Sequence, residues 1–267
     1  MVDAQEFYDG LAQDYDVLFE DWWKAAEWHG SVVAEVLASR GVSPPARILD
    51  CTCGIGTQAL PLASCGYAVT GTDISSRAVA RARAEASARG LDVPLSTADV
   101  RDVRASVAGV FDAAISCDNA LPHLLTDADL GAALRSVRAC LREGGLLLAS
   151  LRDYDSLVTE RPAGVPITLY GVAGRRRGAG QSWRWSRGAD VVDITLFTLA
   201  EADDGWQVSA HETRYRALQR ATLTAALLAG GFTDVEWVMP GESGYYQPIV
   251  LATAGDQAHE RAGGEPR

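Results

Sequence analysis

A short apolar run that breaks into glycines, ARILDCTCGIG over residues 46–56, constrains this chain more than any other segment. Apolar residues followed at once by two glycines read as a buried strand running into a tight turn. The next stretch, TQALPLASCG, continues as a helix ended by Gly66. Residues 67–73 form a second short strand closing on an acid, and 75–89 an Ala/Arg-rich helix stopped by Gly90. Further strands are predicted at 93–98, 111–117 and 145–151, with a helix over 127–141. Strands alternating with helices at this spacing mean βαβ units and a parallel sheet. Right-handed crossovers then bring the strand carboxyl ends to one edge, where ligands bind in open α/β sheets.

Two flanking regions differ. Residues 3–40 read as helical, with Asp21 as N-cap of a segment over 22–40, Gly41 as its stop and Pro44-Pro45 beyond. After residue 151 the pattern changes. Residues 160–190 carry Gly, Pro and Arg with little periodicity, and the GRRRG run at 174–178 reads as a solvated loop. Residues 191–199 and 206–218 read as strands around Asp203-Asp204-Gly205, a hairpin signal. A helix, ATLTAALLAGG, and two closing strands, DVEWVMP and QPIVLATA, follow. The expected organisation is one α/β domain over 1–255. Residues 1–40 form a helical lid, 47–151 the binding core, and 152–218 a β-rich insertion, antiparallel near 160–218. The tail 256–267 is expected to be disordered.

Composition narrows the function. The chain has 267 residues, 48% hydrophobic, enough for a full core without staples. Its formal net charge is -11, the wrong sign for neutralising phosphates, so nucleic-acid partners are not expected. No apolar run approaches the roughly 20 residues that span a bilayer, and the acidic N-terminus lacks the pattern of a signal peptide. Five cysteines, an odd number with one C-x-C pair, read as reduced thiols in a cytoplasmic protein with no metal framework. Only Lys24 of the 24 basic residues is lysine, which reads as base-composition bias.

The chemistry concentrates at three acids and a glycine turn. Gly54 and Gly56 let the backbone approach a ligand, and the following helix offers unpaired N–H groups. With Ala59 they also satisfy G-x-G-x-x-A, so a dinucleotide turn enters the comparison. Asp73 closes the second strand, where a carboxylate can accept both ribose hydroxyls. Asp99 falls after the third strand, where an adenine amino group would lie. Asp50 precedes the turn and can face a cationic amino-acid moiety, a role that a pyrophosphate binder does not need.

The ordered set ILDCTCGIGT, VTGTDIS, STADVRD, FDAAISCDNALPHL and LREGGLLLASL resembles the motifs of class I S-adenosylmethionine-dependent methyltransferases over residues 47–151. CDNALPHL, GGLLLASLRDYDSLV, HETRYRAL, GYYQPIV and the N-terminal FYDGLAQDYDVLFEDWW are most similar to the glycine/sarcosine N-methyltransferase family. The resemblance implies a Rossmann-like sheet with helices on both faces, S-adenosylmethionine as cofactor and a small-molecule acceptor. It implies a cofactor set of Tyr15, Asp50, Cys51, Gly54, Gly56, Asp73, Ile74, Asp99, Val100 and Cys117. Asn119 matches the asparagine beside the acceptor amine, and Arg152 the arginine that holds an acceptor carboxylate. A planar guanidinium fork suits a carboxylate bidentately. Tyr8, Tyr215, Tyr245 and Tyr246 are implied to line the site, where aromatic faces attract a sulfonium or ammonium. His123 is implied to orient the acceptor. Trp22, Trp23 and Lys24 stand where the family has basic residues near the cofactor carboxylate, and the Arg175–Arg177 run has no family counterpart. The implied reaction is direct displacement onto an amine without a metal, with homo-oligomers possible in such a family. Hydroxyl, carbon or other amine acceptors, or cofactor binding without turnover, are the competing readings.

Overall fold

The computed structural model describes residues 3–172, 174–186 and 190–256. Seven strands form the central sheet: β1 Arg47–Asp50, β2 Ala68–Asp73, β3 Leu95–Thr97, β4 Phe111–Ser116, β5 Leu141–Ser150, β10 Phe232–Val238 and β11 Ile249–Ala254. Four others, β6 Gly164–Val172, β7 Arg175–Trp185, β8 Val191–Ala202 and β9 Gly205–Arg216, form a separate antiparallel sheet in sequence order. The central order is β10-β11-β5-β4-β1-β2-β3. Strands β1 to β5 pair in parallel, and β11 runs antiparallel to both β5 and β10. The chain order reverses at β1, between β4 and β2, which is where an open α/β sheet leaves a crevice.

Helices α1 Ala4–Leu11, α2 Trp22–Ser39, α3 Ala59–Ser64, α4 Ser76–Ala88 and α5 Val103–Ser106 precede α6 Asp127–Cys140. After it come α7 Tyr154–Glu160, α8 Arg220–Ala229 and α9 Pro240–Ser243. Successive strand residues serve opposite faces of the sheet, so two cores form. Leu49, Ala114 and Leu147 pack with Leu134 and Leu227 from α6 and α8. Ile48, Ala113, Ile115 and Leu148 pack on the other face with Val33, Leu62 and Val79 from α2, α3 and α4.

Local signals place the helix starts. Asp21 accepts from the Lys24 N–H at 3.1 Å, the cap expected of it. Ser75 caps α4 by accepting from the Ala78 N–H at 3.0 Å, so that helix begins one residue after the expected start.

Several expectations are corrected. Within the helical residues 3–40 the structure adds a 3₁₀ turn at Tyr15–Leu18 between α1 and the segment that Asp21 caps. The fifth strand begins at Leu141, before Gly144 and Gly145. Residues 160–190 hold all of β6 and β7, where Gly164, Gly178 and Gly180 let the two backbones approach closely. Those glycines hide the period-2 signal of a strand. Arg175, Arg176 and Arg177 are therefore strand residues, paired with Asp203, Glu201 and Asp16. The tail expected to be disordered lies, from residue 257 on, outside the described residues. All five cysteines are free, and Cys65 alone among them is exposed. No described helix is long and apolar enough to cross a membrane.

Candidate active site

A cavity of about 390 Å³ opens where β1 to β4 end. Its walls include Cys51, Thr52, Gly54, Thr57 and Gln58 after β1, Asp73 and Ile74 after β2, and Asp99 and Val100 after β3. Cys117, Asp118 and His123 follow β4, and Tyr8 and Tyr15 cover it from the N-terminal segment. Ten of the residues expected from sequence thus share one space: Tyr8, Tyr15, Cys51, Gly54, Asp73, Ile74, Asp99, Val100, Cys117 and His123. Asp50, Gly56, Asn119, Arg152, Tyr215, Tyr245 and Tyr246 stand outside that lining.

The turn is tied to the second strand. Asp73 Oδ2 accepts from the Gly54 N–H at 2.8 Å, and Oδ1 from the Ser75 N–H at 2.9 Å. Burial raises the Asp73 carboxyl despite these bonds. Gly54 has φ +53, and a Cβ there would meet nothing within 4 Å, so the turn faces open space. Gly56 has φ +96 and would drive a Cβ to 2.7 Å from Leu60. Asp50 is 1% exposed, and its Oδ2 has no hydrogen-bond partner. Burial pushes its carboxyl up to about 8, with repulsion from Asp73 and Asp118 adding to the shift. An open glycine cradle beside acids, one with a buried unpartnered oxygen, fits a ligand with hydroxyls and a positive charge.

The N-terminal segment is fastened over the cavity by ion pairs. Asp9 accepts from the Ser75 hydroxyl at 2.7 Å. Asp16 takes Arg81 at 2.9 Å and Arg177 at 2.7 Å, joining the segment to α4 and to β7. Burial alone would raise the Asp16 carboxyl, but the two guanidiniums hold it below the usual range. Tyr8 and Tyr15, on either side of Asp9, are positioned by these contacts. Trp22 is buried and donates to Thr57 Oγ1 at 3.2 Å, whereas Arg89 lies 3.8 Å over the Trp23 ring. Lys24 is exposed on α2.

A second group of expected residues gathers beside the cavity. Asn119, 2% exposed, accepts from the Arg152 N–H at 3.2 Å, and its Nδ2 has no partner. The Arg152 guanidinium lies 4.7 Å from the Trp183 ring centre and 5.4 Å from that of Tyr215. Its Nη2 donates to Gln181 Oε1 at 3.1 Å, and Nη1 is buried without a partner. Arg152 does not take the neighbouring acids: Arg220 pairs with both Asp153 and Asp155. The His123 ring stands edge-on to Tyr215 at 4.5 Å, with Nε2 3.0 Å from the Tyr8 hydroxyl and Nδ1 3.4 Å from Thr213 Oγ1. Burial, reinforced by the Arg152 charge, pulls His123 down to about 3. It is a neutral hydrogen-bonding group at physiological pH.

Tyr245 and Tyr246 converge on a residue that sequence reasoning missed. Both hydroxyls donate to Asp118 Oδ1, at 2.6 and 2.8 Å. Tyr245 is buried and Tyr246 half-exposed. Asp118 and Asn119 are consecutive left-handed residues, φ +59 and +69, a conformation that Asp and Asn tolerate best among non-glycines. The D-N dipeptide was the available signal. Gln181 and Trp183 were also missed, because they become neighbours on one face only once 175–185 is a strand. Asp99 takes Arg101, which also bridges to Asp129.

Residues 48–145 match a family model described as a methyltransferase domain. The chain is 29% identical over 155 residues to a glycine/sarcosine N-methyltransferase of Halorhodospira halochloris, covering 58% of this chain and 56% of that protein. It is 31% identical over 154 residues to the enzyme of the same name from Parasynechococcus marenigrum (strain WH8102), covering 58% and 53%. The chain thus spans about half the length of the curated relatives it matches. Among solved structures, SAM-bound CalS10, an amino pentose methyltransferase from Micromonospora echinaspora, aligns with a TM-score of 0.71 at 23% identity, over 91% of this chain and 95% of that one. The glycine turn and its acids at the sheet's reversal point thus lie inside the segment that matches a methyltransferase domain, and the fold is similar to that of an S-adenosylmethionine-bound methyltransferase.

Proposed function

We propose that this chain is an S-adenosylmethionine-dependent methyltransferase acting on the amine of a small carboxylate-bearing molecule, such as glycine or sarcosine. The observation that carries the reading is Arg152. Its guanidinium is held between two aromatic faces and by Gln181, with Nη1 buried and unpartnered. A buried donor without an acceptor is costly, and an incoming carboxylate relieves that cost. The glycine/sarcosine relatives support the same acceptor class.

S-adenosylmethionine, when bound, would supply a methyl group activated by its sulfonium, with the neutral thioether as the leaving group for an attacking amine lone pair. Asp73 would take the ribose hydroxyls, with Gly54 making room for the chain. Asp99, Ile74, Val100 and Cys117 would surround the adenine. Arg152 fixes the acceptor's direction through its carboxylate, and Asn119 Nδ2 stands free to orient its polar groups. Holding two reactants at near-attack distance can lower a barrier by roughly 7–11 kcal/mol. His123 is too weak a base to take the amine proton, so that proton leaves to water before the site closes. Its part, with Tyr8 and Tyr215, is to shape and orient. The N-terminal segment, fastened at Asp9 and Asp16, excludes water.

The test is methyl transfer from labelled S-adenosylmethionine to a panel of amino acids, amino sugars, phenols and simple amines, with products identified by mass. Methylated glycine or sarcosine is the expected product. Methylation confined to acceptors without a carboxylate would overturn the assignment of Arg152. The match to an amino pentose methyltransferase fold makes amino sugars the alternative to include.

A further inference from the structure

Asp118 is a carboxylate in neutral company. Besides the two tyrosine hydroxyls on Oδ1, Gln58 Nε2 donates to Oδ2 at 2.7 Å. Its one basic neighbour among the described residues is His29, with Nδ1 3.9 Å from Oδ2. Burial lowers the His29 pKa, against the opposing pull of Asp118, so the ring is uncharged at neutral pH. A carboxylate inside a protein without a counter-charge is expensive to maintain.

The corner also has unused hydrogen-bonding capacity. Three donors fill three of the roughly four lone-pair positions of the carboxylate, leaving one on Oδ2. His29 is 5% exposed, and its Nδ1 has no hydrogen-bond partner although it faces that same oxygen. With the ring proton on Nε2, both atoms are acceptors, 3.9 Å apart. A group with several N–H donors and a positive charge satisfies both.

Sheet order says which part of a ligand arrives there. Along β4-β1-β2-β3 the site presents Asp118, then the Gly54 turn, then Asp73, then Asp99. A cofactor with its ribose at Asp73 and its adenine toward Asp99 sends its amino-acid tail toward Asp118. We infer that Asp118, backed by His29 and held by Tyr245, Tyr246 and Gln58, seats the α-ammonium of the cofactor's tail. The inference rests on the cofactor placement proposed above. It makes the amine of the tail a main determinant of cofactor affinity.

The test uses S-adenosylhomocysteine, its deamino analogue, which keeps the carboxylate, and its decarboxylated analogue, which keeps the amine. Titration calorimetry on the wild-type chain should show the deamino analogue binding at least about tenfold more weakly than S-adenosylhomocysteine, with a smaller loss for the decarboxylated one. Asp118→Asn keeps the volume and an acceptor oxygen. It should weaken S-adenosylhomocysteine about tenfold while leaving the deamino analogue unchanged. Equal losses for both ligands would make Asp118 a structural residue and overturn the inference. So would a wild-type chain indifferent to the amine, a result that does not depend on the variant folding. A wild-type chain that bound all three equally to 5′-methylthioadenosine would remove the tail site but keep the cofactor. Failure to bind S-adenosylhomocysteine at all would overturn the cofactor placement itself.

Discussion

The backbone N–H of Gly54 donates to the Asp73 carboxylate at 2.8 Å, joining the turn after β1 to the end of β2. Glycine at φ +53 turns that N–H toward the acid while the space above stays open. Asp73→Ala would strand the Gly54 and Ser75 amides, at a cost of about 1–3 kcal/mol. The expected outcome is a lowered midpoint of chemical unfolding together with at least about tenfold weaker S-adenosylmethionine binding. An unchanged affinity in calorimetry would show that Asp73 serves only the turn.

Asp50 links cofactor binding to pH. Its carboxyl, raised to about 8 by burial, is mostly protonated in the empty site at pH 7. A raised acid contributes stability that is complete below its unfolded value and is lost as pH rises through the folded value. The unliganded chain should therefore lose stability between about pH 4 and 8 through this group. A positively charged ligand beside it lowers its pKa. Cofactor binding at pH 7 should then release a proton, read as a dependence of calorimetric enthalpy on the buffer's ionisation enthalpy. Asp50→Asn should abolish that dependence.

Arg152 and Gln181 should separate in kinetics. Arg152→Ala is expected to raise KM for a carboxylate acceptor by about 10- to 100-fold, as a charge-assisted pair is lost. Gln181→Ala leaves the charge but frees the guanidinium, so a KM rise of only a few-fold is expected. Steady-state kinetics with both variants checks this, and an Arg152→Ala enzyme with unchanged kcat and KM would refute the assignment.

His123 should leave no mark on the pH profile. Its value near 3 keeps it neutral across the working range. The rise of kcat/KM with pH should follow deprotonation of the acceptor amine, and His123→Asn should lower the rate without moving the limbs. A limb that vanished in the variant would make His123 a titrating catalyst.

Gly30 tests the packing of the lid on the core. A Cβ there would lie 2.5 Å from the Pro61 Cβ, so α2 and α3 could not keep their spacing. Gly30→Ala should destabilise the chain by about 1–3 kcal/mol in denaturant titration. A neutral result would mean that the two helices separate without cost.

How much was legible depended on how local the signal was. The N-cap at Asp21, the stop after α4 and the parallel strands all rest on residues a few positions apart. Strands β6 and β7 were illegible because Gly164, Gly178 and Gly180 occupy positions where a strand pattern needs side chains. Missing β7 meant missing Gln181 and Trp183, which matter only because alternation sets them on the face toward Arg152. Tyr245 and Tyr246 were expected to line the site, and the structure adds that both hydroxyls donate to Asp118.

The sequence by itself determined the α/β alternation, the glycine turn, the acids at the strand ends and, through ordered motifs, the resemblance to a methyltransferase domain over 48–145. Those are properties of short windows, where period, turn chemistry and capping act between near neighbours. Only the tertiary structure decided that Asp118 meets Gln58, His29 and two C-terminal tyrosines, and that Asp16 joins Arg81 to Arg177. It also boxed Arg152 between Trp183 and Tyr215. Each of these contacts needs segments from about 30 to 160 residues apart to arrive in one register. That register is set by strand order and helix packing, which no local window of the chain contains.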